Sequence, residues 1–298
     1  MFWEITAVLS LLVAIFCCAL LYTRQQELIF SPTQRNLPSM VELKESYNLP
    51  FDLKEIEIMT NDMNKIYLYG ALQNETKSHH TVLIFPNAFG TILDSFSLFI
   101  ELYQKGFNIV FASYRGFDKS TGKPEESEMD KDVLNYYDAV KSFGIDTKTI
   151  VFYGRGLGVS MVLKLLNKLQ QQNDENVIER KIVLENGSTT LQHMANIVIP
   201  ASRFVWYFVK DRWDNLTLIK NVTINTNYLF ITSELDELVH PSMTQHLFDV
   251  ATKMGNTTKL ESLKGEFHTI KNTKLLAEKV FDFVNEKTTE KEVINTSN

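Results

Sequence analysis

The residues with the clearest chemical meaning lie in a glycine-rich turn, Gly154-Arg155-Gly156-Leu157-Gly158. An apolar run, residues 149–153, comes directly before it, and leucines and valines at helical spacing follow it. Strand, turn and helix in this order are typical of the G-x-S-x-G nucleophile elbow, whose central serine attacks an acyl carbon. Gly156 occupies the serine position, and glycine has no Oγ. The pattern therefore predicts the frame of an acyl-transfer site without its nucleophile.

Later in the chain, Asp236 and His268 fit the remaining positions of a catalytic triad, the acid and the base that it orients. Asp236 follows the apolar run 228–232 and precedes a predicted helix that begins near Pro241. His268 follows the run 259–263 and precedes the last predicted helix. Nucleophile, acid and histidine occur in this chain order in enzymes with such an elbow. The alternatives are a helix-capping or loop role for Asp236 and a surface role for His268.

Other polar residues fit these positions less well. Glu234, Glu237 and His240 share the predicted loop of Asp236, and we expect a structural role for His240. Ser160 lies one helical turn beyond Gly156 and would point from the helix body, so it is a poor replacement for the missing serine. A water molecule activated by the histidine and the aspartate is the chemical alternative, because general base catalysis needs no covalent step.

An oxyanion hole needs two backbone N–H groups directed at the developing negative charge. The first should come from Leu157, directly after the central glycine. The second should come from the loop after the strand 81–85, where Asn87 or Ala88 is the expected donor. Backbone donors do not depend on the side chain at position 156. This part of the site is therefore expected to persist without a serine.

The predicted elements bring these residues to one edge of a sheet. Apolar runs alternate with amphipathic helices from residue 51 onward, which predicts an α/β domain with a doubly wound, mostly parallel sheet. The predicted strands are 53–59, 66–72, 81–85, 108–113, 149–153, 181–185, 228–232 and 259–263. The predicted helices are 92–105, 129–143, 157–170, 241–254 and 271–285.

The segment 195–221 interrupts the alternation. It is rich in aromatic and β-branched residues and contains Pro200. It is predicted to form a small helical lid over the site, or alternatively a helix of the core. As a lid, its apolar character would suit a lipid-like ligand such as an acyl chain.

An N-terminal apolar stretch predicts a membrane anchor. Residues 5–22 carry no charge, and at about 1.5 Å per residue they span roughly 27 Å, close to the thickness of a bilayer core. A cleaved signal peptide would begin with basic residues, whereas Glu4 stands here. We therefore expect a single-pass membrane protein with an anchor (1–24), a connector (25–50), an α/β domain (51–287) and a tail (288–298).

The side of the membrane on which the body lies stays open. Arg24 and Arg35 favour a cytosolic body by the positive-inside rule. Glycosylation sequons favour a body on the non-cytosolic side of the membrane. They begin at Asn74, Asn186, Asn215, Asn221, Asn256 and Asn295. An endomembrane, such as the endoplasmic reticulum, is the expected location.

Composition excludes several classes of function. A net charge of −6 and a pI near 5.6 give no basic surface for nucleic acid. Both cysteines, Cys17 and Cys18, lie in the predicted anchor, so the body has no disulfide and no thiolate metal site. We expect no metal and no cofactor. The expected partners are the membrane and a lipid-like small molecule, and the question of protein partners stays open.

The chain resembles the bud-emergence-related α/β-hydrolases of fungi and the single-pass abhydrolase-domain proteins of animals over nearly its whole length. The matching segments are 86–88 (PNA), 113–116 (SYRG), 120–124 (STGKP), 153–155 (YGR), 157–158 (LG), 184–186 (LEN) and 236–239 (DELV). The resemblance implies the α/β-hydrolase fold, a membrane anchor and a Ser-Asp-His triad.

The chain departs from this family mainly at the expected site. The family's G-R-S-L-G-G is Gly154–Val159 here, and its Y-R-G-Y-G is Tyr114–Asp118. Its N-A-G is Asn87–Phe89, and its G-x-H-N-D is Gly265–Thr269. These departures argue against the hydrolase activity of the family much more than against its fold. We therefore expect a membrane-anchored binding or scaffold protein with lost or much reduced hydrolase activity. The alternative is an active esterase or thioesterase on lipid-like acyl substrates.

Overall fold

One sheet of eight strands organises the part of the chain that the computed structural model describes, residues 2–74, 79–174, 179–198 and 206–286. The strands are β1 (Leu53–Met59), β2 (Lys65–Ala71), β3 (Thr81–Phe85), β4 (Asn108–Ser113), β5 (Ile150–Arg155), β6 (Lys181–Glu185), β7 (Asn227–Ser233) and β8 (Thr257–Leu263). Their order is β1-β2-β4-β3-β5-β6-β7-β8. The pairs β1–β2 and β2–β4 are antiparallel and the others are parallel. This is the α/β-hydrolase fold, as predicted.

Helices cover both faces of the sheet. The α-helices of the described residues are α1 (Phe2–Ile29), α2 (Met40–Ser46), α3 (Ile92–Gln104), α4 (Glu126–Val140), α5 (Gly158–Gln171), α6 (Leu191–Val198), α7 (Asn215–Asn221), α8 (Pro241–Lys253) and α9 (Thr273–Asn285). Buried residues of α4, α5, α7 and α8 form the core on one face, and those of α2, α3 and α9 form the core on the other. Strand β3 contributes Leu83 and Phe85 to the first core and Val82 and Ile84 to the second. Burial on both faces explains why the central strands are continuous apolar runs.

Strand β5 extends two residues beyond its predicted end. Gly154 pairs with Leu184 and Arg155 with Glu185 on the neighbouring strand β6. The strand therefore continues into the glycine-rich motif, and the chain turns only at Gly156. The parallel pairing also brings the carboxyl ends of β3, β5, β6, β7 and β8 to one edge of the sheet, where the candidate residues follow their strands.

Helix α1 is longer than the predicted anchor. Its apolar window, Trp3–Leu20, has a mean hydropathy of 2.2 and none of it is buried, so α1 is a candidate membrane span. The helix continues through Ile29, whereas the connector was expected to begin at residue 25. Gln25 is buried, and its Oε1 accepts hydrogen bonds from the backbone N–H groups of Lys210 (2.6 Å) and Asp211 (3.2 Å). The end of the helix is therefore fixed to the body.

The connector also packs on the body. The ring of Phe30 is buried and meets Trp213 edge-on, with ring centroids 5.9 Å apart, and Phe117 at 6.5 Å. Helix α2 lies within the connector and was not predicted. Its N-terminus has a capping box, in which Glu42 N donates to Ser39 Oγ (3.2 Å) and Ser39 N donates to Glu42 Oε2 (2.9 Å). The S-x-x-E sequence is the signal that predicts such a start.

The predicted lid is divided in the structure. Helix α6 begins at Leu191, before the expected boundary, and residues 199–205 lie outside the described residues. Helix α7 belongs to the core, because Ile219 is buried and Asn167 Nδ2 donates to the Leu218 carbonyl at 3.0 Å. The core alternative is therefore right for residues 215–221. The predicted tail, 288–298, lies outside the described residues.

Within the described residues, the sequons at Asn186 and Asn215 are inaccessible in the folded chain. Asn186 and Asn215 are both buried, and their side-chain amides donate hydrogen bonds to Ser233 Oγ (3.0 Å) and to the Ser188 carbonyl (2.8 Å). A folded chain carries no glycan at such positions. The sequon argument for a non-cytosolic body is correspondingly weaker.

Removal of residues 1–24 should leave a folded protein in the aqueous phase, because Gln25 and Phe30 keep their contacts. Removal of residues 1–31 should lower the free energy of unfolding by about 3–5 kcal/mol, the usual effect of deleting a buried phenylalanine side chain. Urea denaturation followed by circular dichroism measures both. An unfolded 1–24 truncation would show instead that the apolar helix belongs to the core.

Candidate active site

The turn after β5 requires glycine at two positions and favours it at a third. A Cβ on Gly158 would lie 1.9 Å from the Phe85 carbonyl oxygen, and a Cβ on Gly154 would lie 2.5 Å from the Gly158 carbonyl oxygen. Both contacts are far below van der Waals distance, so helix α5 approaches the end of β3 backbone to backbone. Gly156, between them, has φ of +54°, in the left-handed region that favours glycine. Its N–H donates to the Glu185 carbonyl at 2.8 Å.

Asp236 and His268 form a hydrogen-bonded pair. His268 Nδ1 lies 2.9 Å from Asp236 Oδ2 and 3.1 Å from Oδ1, and each residue is only 8% exposed. Asp236 Oδ1 also accepts the N–H groups of Leu238 (2.9 Å) and Val239 (2.7 Å). The carboxylate is thus fixed by its own loop, and it holds the proton of the imidazole on Nδ1. This leaves Nε2 as the nitrogen for chemistry.

The second imidazole nitrogen faces the bare Cα of Gly156. A Cβ built there would lie 3.5 Å from His268 Nε2 and 3.1 Å from Asn87 Cβ. The structure therefore brings Gly156, Asp236 and His268 together in the arrangement expected from their order in the chain. Among the described residues, His268 Nε2 has no hydrogen-bond partner, and it points toward the space that a side chain at position 156 would occupy.

The loops that carry the pair are bonded to each other. His268 N donates to Glu237 Oε2 (3.1 Å), Leu235 N to the Glu266 carbonyl (2.9 Å), and Gly265 N to Glu234 Oε2 (3.0 Å). Glu234 and Glu237 were expected to fit the acid position less well. They serve the site as acceptors for backbone groups of the histidine loop. The relative position of aspartate and histidine therefore does not depend on their mutual bond alone.

Asn186 joins three strand ends beneath the pair. Its Nδ2 donates to Ser233 Oγ (3.0 Å) and to the His268 carbonyl (3.2 Å), and its Oδ1 accepts Ser233 N (2.8 Å). It is buried and has φ of +48°. This role of Asn186 was not predicted. An asparagine directly after a buried strand was the available signal, because asparagine tolerates the left-handed region better than most residues.

Glu185 holds the glycine turn from the neighbouring strand. Its carboxylate accepts from Arg155 Nε at 2.9 Å and from the hydroxyl of Tyr153. Burial first, and then the adjacent carboxylate, holds the pKa of Tyr153 well above its usual value, so this hydroxyl stays a donor. The backbone carbonyl of Glu185 also accepts the Gly156 N–H, as described above. One residue therefore fixes both sides of the turn.

The expected oxyanion donors lie beside the turn. Leu157 directly precedes the first residue of α5, where backbone N–H groups lack partners within the helix. Asn87 is half-buried and its Oδ1 accepts Phe89 N (3.1 Å). The carbonyl of Ala88 accepts Ser31 N at 3.4 Å. The loop is thus held from within and from the connector that follows the anchor helix.

Asp118 replaces a glycine of the resembled family and supports the same loop. It keeps a positive φ, +50°, and its carboxylate accepts Ser113 Oγ (2.8 Å) and the N–H of Ile92 at the start of α3 (3.2 Å). Burial raises the pKa of Asp118 to about 6. Tyr114, from the same motif, donates its hydroxyl proton to the Pro86 carbonyl at 2.8 Å.

The remaining candidates lie away from the gap. Ser160 is buried in α5, and its N–H donates to the Leu157 carbonyl at 2.9 Å. His240 is exposed and caps the start of α8, where its Nδ1 accepts Ser242 N at 3.3 Å. The described residues contain no group of three or more histidine, cysteine, aspartate or glutamate side chains that could hold a metal ion.

Comparison with protein families decides the classification. The sequence pattern of the prolyl oligopeptidase family matches residues 94–291, a range that includes the glycine turn, Asp236 and His268. This chain belongs to the prolyl oligopeptidase family. The match begins in α3, so the anchor, the connector and the loop with Asn87 lie outside it.

Curated relatives are similar over most of the chain. An uncharacterized membrane protein of Saccharomyces cerevisiae is 25% identical over 84% of this chain and 86% of its own. Protein bem46 of Schizosaccharomyces pombe is 28% identical over 80% and 79%. A lysophosphatidylserine lipase of Gallus gallus is 26% identical over 51% and 42%. These relatives support membership of the α/β-hydrolase domain proteins.

Solved structures support the fold alone. The esterase Pf2001 of Pyrococcus furiosus superposes with a TM-score of 0.62 at 17% identity, over 86% of this chain and 97% of the esterase. The α/β-hydrolase fold is thus shared by two chains of very different sequence.

Two substitutions of Asn186 should separate the contribution of its side-chain hydrogen bonds to stability from that of its backbone conformation. Asn186→Gly should lower the free energy of unfolding by about 2–3 kcal/mol, since buried donors and acceptors lose their partners. Asn186→Ala should cost about 1 kcal/mol more, because a Cβ is unfavourable at φ of +48°. Urea denaturation tests both. If both variants matched the parent, the asparagine would not hold the strand ends together.

Asp118→Asn should flatten the pH dependence of stability. The folded chain holds the Asp118 proton up to about pH 6, whereas the unfolded chain releases it near the ordinary value of 3.8. The contribution of Asp118 to the stability of the parent is therefore fully present below about pH 4. It is lost as the pH rises to about 6, and the free energy of unfolding falls by on the order of 2–3 kcal/mol. The variant should lack this decrease. Burial also raises the pKa of Asp211 to about 6, and its contribution is equal in both proteins.

Proposed function

We propose that this chain is a membrane-anchored α/β-hydrolase-fold protein that has lost most or all hydrolytic activity and acts by binding. The observation that carries the proposal is the bare Gly156 Cα opposite His268 Nε2, with a Cβ position only 3.5 Å from that nitrogen. This is where a nucleophilic side chain would stand in an elbow of this kind. Without an Oγ, no acyl-enzyme can form.

The retained parts of the site support binding more than they support slow hydrolysis. A water molecule activated by His268 would need to be held at the position of the missing oxygen, and it would forgo the covalent route. Loss of a triad nucleophile costs several orders of magnitude in rate, because triad members act as a unit. A binding site, in contrast, needs only the fixed donors and the shape around them, and the loops with Asp236 and His268 remain bonded to each other.

Apolar side chains beside the site favour a lipid-like ligand. Phe89, Leu235 and Phe267 are 46%, 48% and 50% exposed, and each neighbours a site residue in the chain. Exposed large apolar residues in the loops of a site are typical of surfaces that bind apolar ligands. The apolar helix α1 supports a membrane-anchored chain. A relative named as a lysophosphatidylserine lipase is consistent with an acyl-chain ligand.

The substitution Gly156→Ser tests the proposal. It returns an oxygen next to His268, so hydrolysis of short activated esters such as p-nitrophenyl butyrate should rise at least roughly tenfold above the parent, which lacks the nucleophile. The change also places a side chain at φ of +54°, 3.1 Å from Asn87 Cβ. Stability should fall by about 1 kcal/mol or slightly more.

Two controls accompany the serine variant. Gly156→Ser combined with His268→Ala should lose the gain, because the serine then has no base. Gly144→Ser places serine at φ of +75° with open space around it, at the opposite edge of the sheet, and should gain no activity. Labelling by a fluorophosphonate should appear only in the Gly156→Ser single variant. A parent chain that is labelled, or that matches the serine variant in rate, would support the active-esterase alternative.

A further inference from the structure

The end of the anchor helix lies beside an aromatic turn of the body. A single 3₁₀ turn spans Trp206–Phe208, and Cα atoms of this turn and of α1 lie within 8 Å of each other. Shortly after the turn, Lys210 N donates to Gln25 Oε1 at 2.6 Å. The pKa of Lys210 is raised, mainly by its hydrogen bond to Glu125, and a smaller contribution comes from the hydroxyl of Tyr22. The turn therefore lies alongside the last turns of α1.

Distance along α1 places this turn at the height of the lipid headgroups. The apolar window of α1 ends at Leu20, and Gln25 lies about 7.5 Å further along the helix axis, at about 1.5 Å per residue. The headgroup layer on each side of a bilayer core is about 5–8 Å thick. When the apolar window fills the core, Tyr22 lies within that layer and Gln25 lies at its outer limit. The turn that packs beside them lies at the same height.

Within the turn, one aromatic ring is held by the body and the next is exposed. Trp206 packs against the core, and the guanidinium of Arg212 lies 5.1 Å from the centre of its ring. Val209 N donates to the Trp206 carbonyl at 3.0 Å, which closes the turn. Tyr207, in contrast, is 91% exposed. A turn that is already fixed loses little conformational freedom on binding, so Tyr207 is a ready contact for the layer beside the end of α1.

We propose that the turn Trp206–Phe208 is a second membrane contact, in which the ring of Tyr207 enters the headgroup layer of the bilayer that holds α1. The inference rests on the membrane anchoring in the proposed function and names the surface of the body that meets the lipid. Tyrosine and tryptophan are enriched at membrane–water interfaces, because one end of each side chain is apolar and the other is polar. Continuity identifies the occupant, since the turn packs beside the helix whose whole apolar window is exposed.

The charges of this surface favour aromatic insertion over attraction by anionic lipid. Arg24 is paired with Glu27 at 2.6 Å, and Lys210 is paired with Glu125 at 3.0 Å. The guanidinium of Arg212 lies over an aromatic ring of the turn. Basic residues attract anionic lipid through uncompensated charge, and the two lysine and arginine pairs are already compensated. The contact is therefore expected with neutral phosphatidylcholine alone.

The attachment of α1 also determines which part of the body stays in water. Phe30 packs on Phe117, which follows β4. Ser31 N donates to the carbonyl of Ala88, which follows β3. Both contacts lie at the carboxyl edge of the sheet, whereas Met254, 38% exposed, precedes β8 at the opposite edge. Strand β8 has seven residues and is roughly 20 Å long at about 3.3 Å per residue, so Met254 is held away from the lipid.

Photochemical crosslinking of the full chain in nanodiscs of radiolabelled phosphatidylcholine tests the proposal. The photoreactive aromatic residue p-benzoylphenylalanine replaces one exposed residue at a time: Tyr207 of the turn, Phe16 of the apolar window or Met254 of the opposite edge. Irradiation should attach labelled lipid to the chain at positions 207 and 16, and labelling should be lost at position 254. Circular dichroism checks that each chain is folded, as expected for changes at exposed side chains.

Position 16 separates failure of this inference from failure of the proposed function. If position 16 captures no lipid, α1 does not stand in the bilayer, and the proposed membrane anchoring is wrong. If position 16 captures lipid and position 207 does not, the anchoring stands and the contact of the turn falls. Equal capture at positions 207 and 254 would also overturn the contact, because the body would then meet lipid without a preferred face. Capture at 207 that requires added phosphatidylserine would assign the contact to charge and overturn aromatic insertion.

Discussion

The structure of the site depends on the close approach of helix α5 to the end of strand β3. The position of a Gly158 Cβ, 1.9 Å from the Phe85 carbonyl oxygen, leaves no room for any side chain. This contact fixes the first turn of α5, and the position of the Leu157 N–H follows from it. It also forces the chain to reverse within one residue, and that residue is Gly156 with its positive φ. The elbow is thus a property of the backbone, and it does not need a nucleophile to persist.

The aspartate–histidine pair persists for a different reason. Asp236 is held by two N–H groups of its own loop, and the histidine loop is bonded to Glu234, Leu235 and Glu237. These bonds would be needed for the packing of two loops at a sheet edge even if no reaction took place. A site in which each part is anchored independently can lose one member while the others keep their positions.

Much of the fold and of the site was predictable, because both follow from local patterns. The ranges of β1, β3, β4 and β6 follow directly from apolar runs between turn residues. Asp236 and His268 were found because each follows such a run and precedes a helix. The fold itself is confirmed by the sheet and by the solved structures.

Long-range contacts account for what the sequence did not reveal. The bonds of Asn186 join β6 to residues about 47 and 82 positions away, and no local pattern encodes such partners. Helix α1 extends past its apolar window, and Gln25 Oε1 accepts two backbone N–H groups of a segment 185 and 186 residues further along. Asp118 has a positive φ, +50°, and its carboxylate accepts the N–H of Ile92, 26 residues away in the chain. Its partner, too, is visible only in the folded chain.

The attachment of α1 has a consequence for encounters at a surface. Gln25 is bonded to residues 210 and 211, and Ser31 is bonded to the loop with Ala88. A domain on a flexible stalk samples all orientations, and each productive collision includes a rotational search whose entropy opposes association. Here these hydrogen bonds fix the end of the helix to the body. If the helix stands in a bilayer, the site meets neighbouring molecules of that bilayer always with the same face, and the search is reduced to diffusion in the plane.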